Sequence, residues 1–305
     1  MYDLIIIGAG PAGLTAGLYA ARYRLNTLIL EKMAVGGQIM LSPLIENFPG
    51  FPGGISTQEL IGRFKTQIEE YNIKIEMEEA LEISPNSDLR APIYNIKTKA
   101  QTYETKCIII ATGAQPKKLG VNGEERLTGR GVSYCATCDG PLFRDKEIAV
   151  IGAGDRAVEE AIFLSGYARK VTVIHRRNQL RASGILEERA EQNAKINFVL
   201  DSIVEEIVGQ SKVEGVKIHN IKTDSINELA CQGVFIFVGI RPDTAFLNNQ
   251  LELNEAGFII TNQDLETSKK GIFACGDCRG KSLYQVITAC GDGATAAASA
   301  HRYLS

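Results

Sequence analysis

Two cysteines three positions apart, Cys135-Ala136-Thr137-Cys138, with an acid directly behind them at Asp139, are the residues of this 305-residue chain best suited to chemistry. At a helix start, sulfurs with this spacing come within bonding range. The helix end also lowers a thiol pKa, so a thiolate exists near neutral pH. That is the chemistry of a disulfide that opens and closes. Asp139 is placed to protonate a leaving thiolate, and as a first-turn acid it also suits the helix dipole; the two roles are compatible. A zinc ribbon would need two such pairs or added histidines. A second pair exists at Cys275-Gly276-Asp277-Cys278, and the histidines are His175, His219 and His301. No metal is expected, because each pair has another explanation. Gly276-Asp277 after an apolar strand suits a cofactor-contact turn, where small buried cysteines pack well. Cys107, Cys231 and Cys290 read as core positions, His219 as an exposed strand residue and His301 as a surface residue.

The electrons for such a disulfide need a carrier, and the chain has two places for one. Ile5-Ile6-Ile7-Gly8-Ala9-Gly10-Pro11-Ala12-Gly13 opens a helical pattern over residues 14–22, and the next strand closes at Glu31. Ile148-Ala149-Val150-Ile151-Gly152-Ala153-Gly154-Asp155-Arg156-Ala157 repeats this 144 residues later, pairing Gly8 with Gly152 and Glu31 with His175. In such a strand–turn–helix unit the first Gly permits a tight turn and the second lets the backbone approach a pyrophosphate. The third position, Gly13 or Ala157, lets helix and strand pack closely. The pyrophosphate sits at the helix N-terminus, where free N–H groups and the dipole favour anions. Glu31 suits a ribose diol. His175, Arg176 and Arg177, with Arg181 four residues beyond, suit a 2′-phosphate, because the guanidinium fork matches phosphate geometry. Alternation along the strand favours Arg176 over Arg177. One site therefore reads as holding a resident cofactor such as FAD, the other as exchanging NADPH.

Taken together these pieces resemble the bacterial low-molecular-weight NADPH-dependent thioredoxin reductases, over essentially the whole chain. To the motifs above the resemblance adds Gly36-Gly37-Gln38, Glu46-Asn47-Phe48-Pro49-Gly50-Phe51-Pro52, Ala111-Thr112-Gly113-Ala114, Ala157-Val158-Glu159-Glu160-Ala161 and Arg181-Ala182. It implies that Gly36, Gly37, Gln38, Asn47, Ala111, Thr112, Gly113, Asp277, Gln285 and Val286 lie against FAD. It implies a homodimer and a ping-pong reaction in which electrons pass from NADPH through FAD to Cys135–Cys138, and from there to the disulfide of thioredoxin or a thioredoxin-like protein. In that family a domain rotation presents the nicotinamide and the dithiol to the flavin in turn. Cys138, beside Asp139, is expected to attack the partner. Three departures stand out. Tyr284-Gln285-Val286 replaces the family's Arg-Gln-Ala, Arg156 replaces a small hydroxyl residue, and Cys275 and Cys278 are additions. Rival readings on the same fold are a dithiol oxidase and a ferredoxin-linked reductase, and neither needs an arginine cluster. A non-catalytic redox sensor needs no resolving pair beside an acid.

Composition agrees with a soluble enzyme, at 45% hydrophobic and 23% charged residues with a net charge of −3. This gives no push toward nucleic acid or an anionic membrane. No run reaches the roughly 18 apolar residues of a membrane span, and the first strand starts without a basic leader, so a cytoplasmic protein is expected. The expected fold class is α/β, with two Rossmann-like, three-layer ββα-type dinucleotide-binding domains. Ile109-Ile110-Ala111-Thr112-Gly113-Ala114-Gln115-Pro116 is echoed at Ile236-Phe237-Val238-Gly239-Ile240-Arg241-Pro242, which marks the crossings near 113–117 and 242–247. Residues 1–114 and 245–305 then form a discontinuous FAD domain. The NADPH domain, 115–244, is inserted into it and carries the cysteines. An Ala-rich helix over 285–303 closes the chain, and alternation at 94–98 and 216–219 predicts small antiparallel sheets.

Overall fold

A computed structural model describes residues 1–41, 44–45, 47–86 and 92–305; Glu46 of the quoted motif lies outside the described residues. The chain divides into two compact units. One is Met1–Met40, Ser56–Gln115 and Arg241–Ser305, and the other is Leu41–Ile55 and Pro116–Ile240.

The first unit is built on the strand Tyr2–Ile7. Its unbroken apolar run has no alternation because both its faces are covered, as in buried parallel sheets. Leu4 and Ile6 join one core with Leu14, Ile109 and Phe273, while Ile5 and Ile7 join another with Leu28, Ile96 and Ile110. The parallel neighbours are Thr27–Leu30 on one side and Thr102–Ile110 on the other, in register Ile5↔Leu28 and Ile5↔Ile108. Lys74–Glu76 extends one edge and Ile272–Ala274 pairs with the long strand. The alternating segment Ile93–Lys97 is not a sheet of its own. It pairs antiparallel with the first half of Thr102–Ile110 and with Glu82–Asn86, so among the described residues seven strands form one mixed sheet. The helices Pro11–Arg22 and Val286–Leu304 pack on each other on one face. Small residues allow this approach: a Cβ on Gly293 would stand 2.2 Å from the Ala12 carbonyl oxygen.

The second unit repeats the plan. Its five parallel strands run in the order Val132–Ser133, Gly233–Ile236, Glu147–Ile151, Lys170–Ile174, Ile196–Val199. Ser202–Val208, Gly215–Asn220 and Ser225–Ala230 form the expected antiparallel sheet. Among the described residues no helix is long and apolar enough to cross a membrane.

Candidate functional site

Each unit places one fingerprint, and the glycines of each fall into two kinds. Gly8 (φ +111°) has no room for a side chain, since a Cβ there would lie 2.3 Å from the Ala111 carbonyl oxygen. At Gly13 it would lie 1.8 Å from the Gly8 carbonyl oxygen. Gly10 differs: its nearest neighbour would be the Gly36 carbonyl oxygen, 3.8 Å away. That space opens on the N-terminus of Pro11–Arg22, whose cap position, Gly10, brings no side-chain hydrogen bond to the end N–H groups. The Gly36 N–H donates to the Ala9 carbonyl at 2.9 Å, which brings Gly36 and Gly37 to the same rim. Glu31 is buried, and its two carboxylate oxygens accept from the N–H groups of Ala9 (2.8 Å) and Met33 (2.9 Å). Each oxygen keeps a lone pair for a hydroxyl. An open helix end, a side-chain-free cradle and a fixed carboxylate fit a dinucleotide such as FAD.

Around this cradle Ala111 is buried, Thr112 Oγ1 donates to the Asp243 carbonyl at 2.7 Å, and the Gly113 carbonyl accepts from the Asp243 N–H at 3.1 Å. Gln38 is exposed. Gln285 caps Val286–Leu304, its side chain accepting from the Thr288 N–H while the Thr288 hydroxyl accepts from the Gln285 N–H. Asn47 is exposed. Sequence reasoning passed over a charged group here. Lys281 pairs with Asp277 at 2.9 Å and with Asp292 at 3.5 Å, and Asp292 also pairs with Arg279 and accepts from the Gly276 N–H. The Lys281 ammonium lies 5.6 Å from the Tyr284 ring centroid, so a cation remains beside the position where the family's arginine is missing.

The second fingerprint shows the same division. Gly152 (φ +124°) would drive a Cβ to 2.4 Å from the Phe237 carbonyl oxygen, whereas at Gly154 a Cβ meets nothing within 4 Å. Gly154 caps the helix Asp155–Ser165, again without a side-chain bond. Asp155 turns aside to accept from the Ser183 N–H at 2.6 Å. Arg156 leans along the helix toward Glu160 (3.9 Å) and over Phe237, which leaves the glycine turn clear. Ala157 is buried. Arg176 and Arg177 stand exposed at the end of Lys170–Ile174, and Arg181 joins them because its N–H donates to the Ala153 carbonyl at 2.7 Å. His175 is buried with Nε2 unpartnered. Burial and the charges of Arg177, Arg176 and Arg181 hold its pKa below the usual histidine value.

The disulfide is formed in the same unit. Cys135 and Cys138 are bonded, half-buried, with Cα atoms 5.4 Å apart. Cys135, not Asp139, holds the cap position of the short helix Ala136–Asp139. Its sulfur accepts from the Cys138 N–H at 3.2 Å and lies 3.4 Å from the Thr137 hydroxyl. These contacts and the helix end would stabilise a thiolate at Cys135 once the bond opens. Asp139 is buried, and Oδ2 accepts from the Ser133 hydroxyl at 2.6 Å. Ser133, two residues ahead of the first cysteine, was not singled out from sequence. Its one signal was the hydroxyl's reach to the N–H two residues on.

The other cysteines are free thiols. Cys275 and Cys278 are buried; the Cys278 thiol donates to the carbonyls of Cys275 and Ile110 and burial pushes it up to about 11. Burial also raises Cys275 well above the usual thiol range. Both stay protonated at neutral pH and pack as expected. Cys107 and Cys231 are buried, whereas Cys290 is only partly so, beside the Pro11 carbonyl. His301 stacks on Tyr23 at 4.4 Å, and His219 is half-buried between Glu205 and Asp224 rather than exposed.

The model of the pyridine nucleotide-disulphide oxidoreductase family matches residues 2–293. A thioredoxin reductase of Peptoclostridium litorale is 44% identical over 100% of this chain and 97% of its own. One from Listeria monocytogenes is also 44% identical, over 100% and 94%. The crystal structure of thioredoxin reductase from Streptococcus pyogenes aligns with a TM-score of 0.91 at 48% identity, covering 100% of this chain and 98% of that one.

Proposed function

The chain belongs to the pyridine nucleotide-disulphide oxidoreductase family, and within it we propose that it is a thioredoxin-disulfide reductase using NADPH and FAD. The net reaction is NADPH + H⁺ + thioredoxin disulfide → NADP⁺ + thioredoxin dithiol. One observation carries the reading: a half-buried disulfide beside a buried acid, in the unit whose fingerprint ends in arginines. The arginines favour this over the oxidase and ferredoxin-linked alternatives, which need no 2′-phosphate site.

The space at Gly10, Gly36 and Gly37 would hold the FAD pyrophosphate, with Glu31 on its ribose. When bound, FAD takes two electrons from NADPH and supplies them to a disulfide. Gly154 and the helix end behind it would hold the NADPH pyrophosphate, and Arg176, Arg177 and Arg181 its 2′-phosphate. Two electrons break the Cys135–Cys138 bond. Cys135 is left as thiolate under its two hydrogen-bond donors, and Cys138 takes a proton from Asp139. The Cys135 thiolate then attacks a thioredoxin sulfur, forming a mixed disulfide and releasing the other thioredoxin sulfur. Cys138 gives its proton back and attacks Cys135. This releases thioredoxin's second sulfur and restores the starting bond, and the two thioredoxin thiolates take up two protons, the one that accompanies the electrons from NADPH and one from solvent. A cytoplasmic homodimer completes the reading; exposed Tyr19 and Tyr71 and part-exposed Tyr23 on the first unit suit a subunit contact.

The test is anaerobic stopped-flow on the yellow protein. NADPH should bleach the flavin much faster than NADH, and oxidised thioredoxin should restore it. Bleaching by neither nucleotide would overturn the reading.

A further inference from the structure

We propose that Ser133 is a positioning residue for disulfide reduction, holding Asp139 in its working orientation and tying it to the backbone of Cys135. The inference rests on the reductase reading above.

Three observations carry it. First, Ser133 is itself fixed. It ends the strand Val132–Ser133, pairs with Phe235 of the central sheet and is buried. Second, its one hydroxyl meets both halves of the redox group. The oxygen accepts from the Cys135 N–H at 3.1 Å and the hydroxyl donates to Asp139 Oδ2 at 2.6 Å. The Cys135 carbonyl also lies near, at 3.2 Å, but the Asp139 oxygen is much closer. Third, Asp139 is buried at the far end of a four-residue helix. A short helix end gives an acid little orientation of its own. A hydroxyl rooted in the sheet therefore fixes which way the carboxyl faces when the Cys135–Cys138 bond breaks and Cys138 takes its proton. A buried polar group would otherwise seek other partners at a cost in geometry.

The decisive experiment is a double-mutant cycle on the FAD-loaded enzyme: Ser133→Ala, Asp139→Asn and both together, assayed with NADPH and thioredoxin. Ser133→Ala should lower kcat about tenfold, as the loss of one buried hydrogen bond does. KM for NADPH and thioredoxin and the anaerobic rate of flavin bleaching should stay unchanged, since none of these needs the acid. Asp139→Asn should lose roughly 100-fold or more. In that background Ser133→Ala should cost nothing further. Ser133→Thr, which keeps the hydroxyl, should restore most of the rate; it also serves if Ser133→Ala misfolds. Equal losses from Ser133→Ala in both backgrounds would mean the serine is only structural and overturn the inference. So would full activity of Ser133→Ala, or failure of a folded Ser133→Thr to recover. A wild-type enzyme inert toward NADPH and thioredoxin would instead overturn the reductase reading.

Discussion

The two kinds of glycine in the second fingerprint should respond oppositely to one added methyl group. At Gly154 the backbone (φ −83°, ψ 173°) is one any residue adopts, and a Cβ meets nothing within 4 Å. Alanine is a slightly poorer helix cap than glycine, but it also restricts the unfolded chain. These effects oppose each other, so Gly154→Ala should change stability by less than about 1 kcal/mol. The methyl group would stand where a pyrophosphate must approach. Overpacking of that kind costs about 1–3 kcal/mol, or roughly 5- to 150-fold in affinity. KM for NADPH should rise by that factor while FAD stays bound. Gly152→Ala reverses the pattern. Its positive φ and the Phe237 carbonyl 2.4 Å from the new Cβ should together cost about 2–6 kcal/mol of folding stability. The assay is thermal unfolding followed by far-UV circular dichroism, with steady-state kinetics against NADPH. If Gly154→Ala keeps its KM, the open space is not the nucleotide's. If Gly152→Ala melts like wild type, the turn is not as tight as its geometry indicates.

Replacing Arg176 and Arg181 together by Ala should raise KM for NADPH about tenfold or more while NADH kinetics move less than about threefold; equal effects on both would refute the phosphate-reading role. With single Cys→Ser variants, only Cys138→Ser, which retains Cys135, should trap thioredoxin as a mixed disulfide, and trapping by Cys135→Ser alone would reassign the nucleophile. His175 is held neutral below its ordinary value of 6.5 by burial and its arginines. The unfolded chain therefore takes up a proton that the native chain refuses, and stability should decline as pH falls through about 6.5. A bound 2′-phosphate offsets those arginines, so NADP⁺ should raise the His175 midpoint in a proton NMR titration, and an unmoved midpoint would refute this.

What was legible in the sequence was whatever is local. Gly8-Ala9-Gly10 and Gly152-Ala153-Gly154 announce turn, cradle and helix start within a few residues, and the acid or arginines closing each next strand announce the nucleotide. Cys135 and Cys138 were equally plain. Which of them would attack was not, because it depends on where a four-residue helix begins, and the structure puts Cys135 at its cap. Ser133 and the Lys281–Asp292–Arg279 group stayed hidden for a related reason. Their roles come from strand pairing and from a helix start brought back to the fingerprint, which no short motif records. The antiparallel strand Ile93–Lys97 was recognised by its alternation, but its membership of the large sheet depends on a partner, Thr102–Ile110, that serves two neighbours at once.

Arg181 reaches its site through the main chain: a single backbone bridge to Gly154 places it there, whatever side chain it carries. Scaffold and selectivity are therefore separable in this enzyme. The turn at Gly154 is held mainly through peptide groups, while on the proposed reading the choice between phosphorylated and unphosphorylated coenzyme would rest on a few exposed side chains. A lineage, or an engineer, could exchange one electron donor for the other by altering those side chains alone, leaving the rest of the catalytic cycle as it stands.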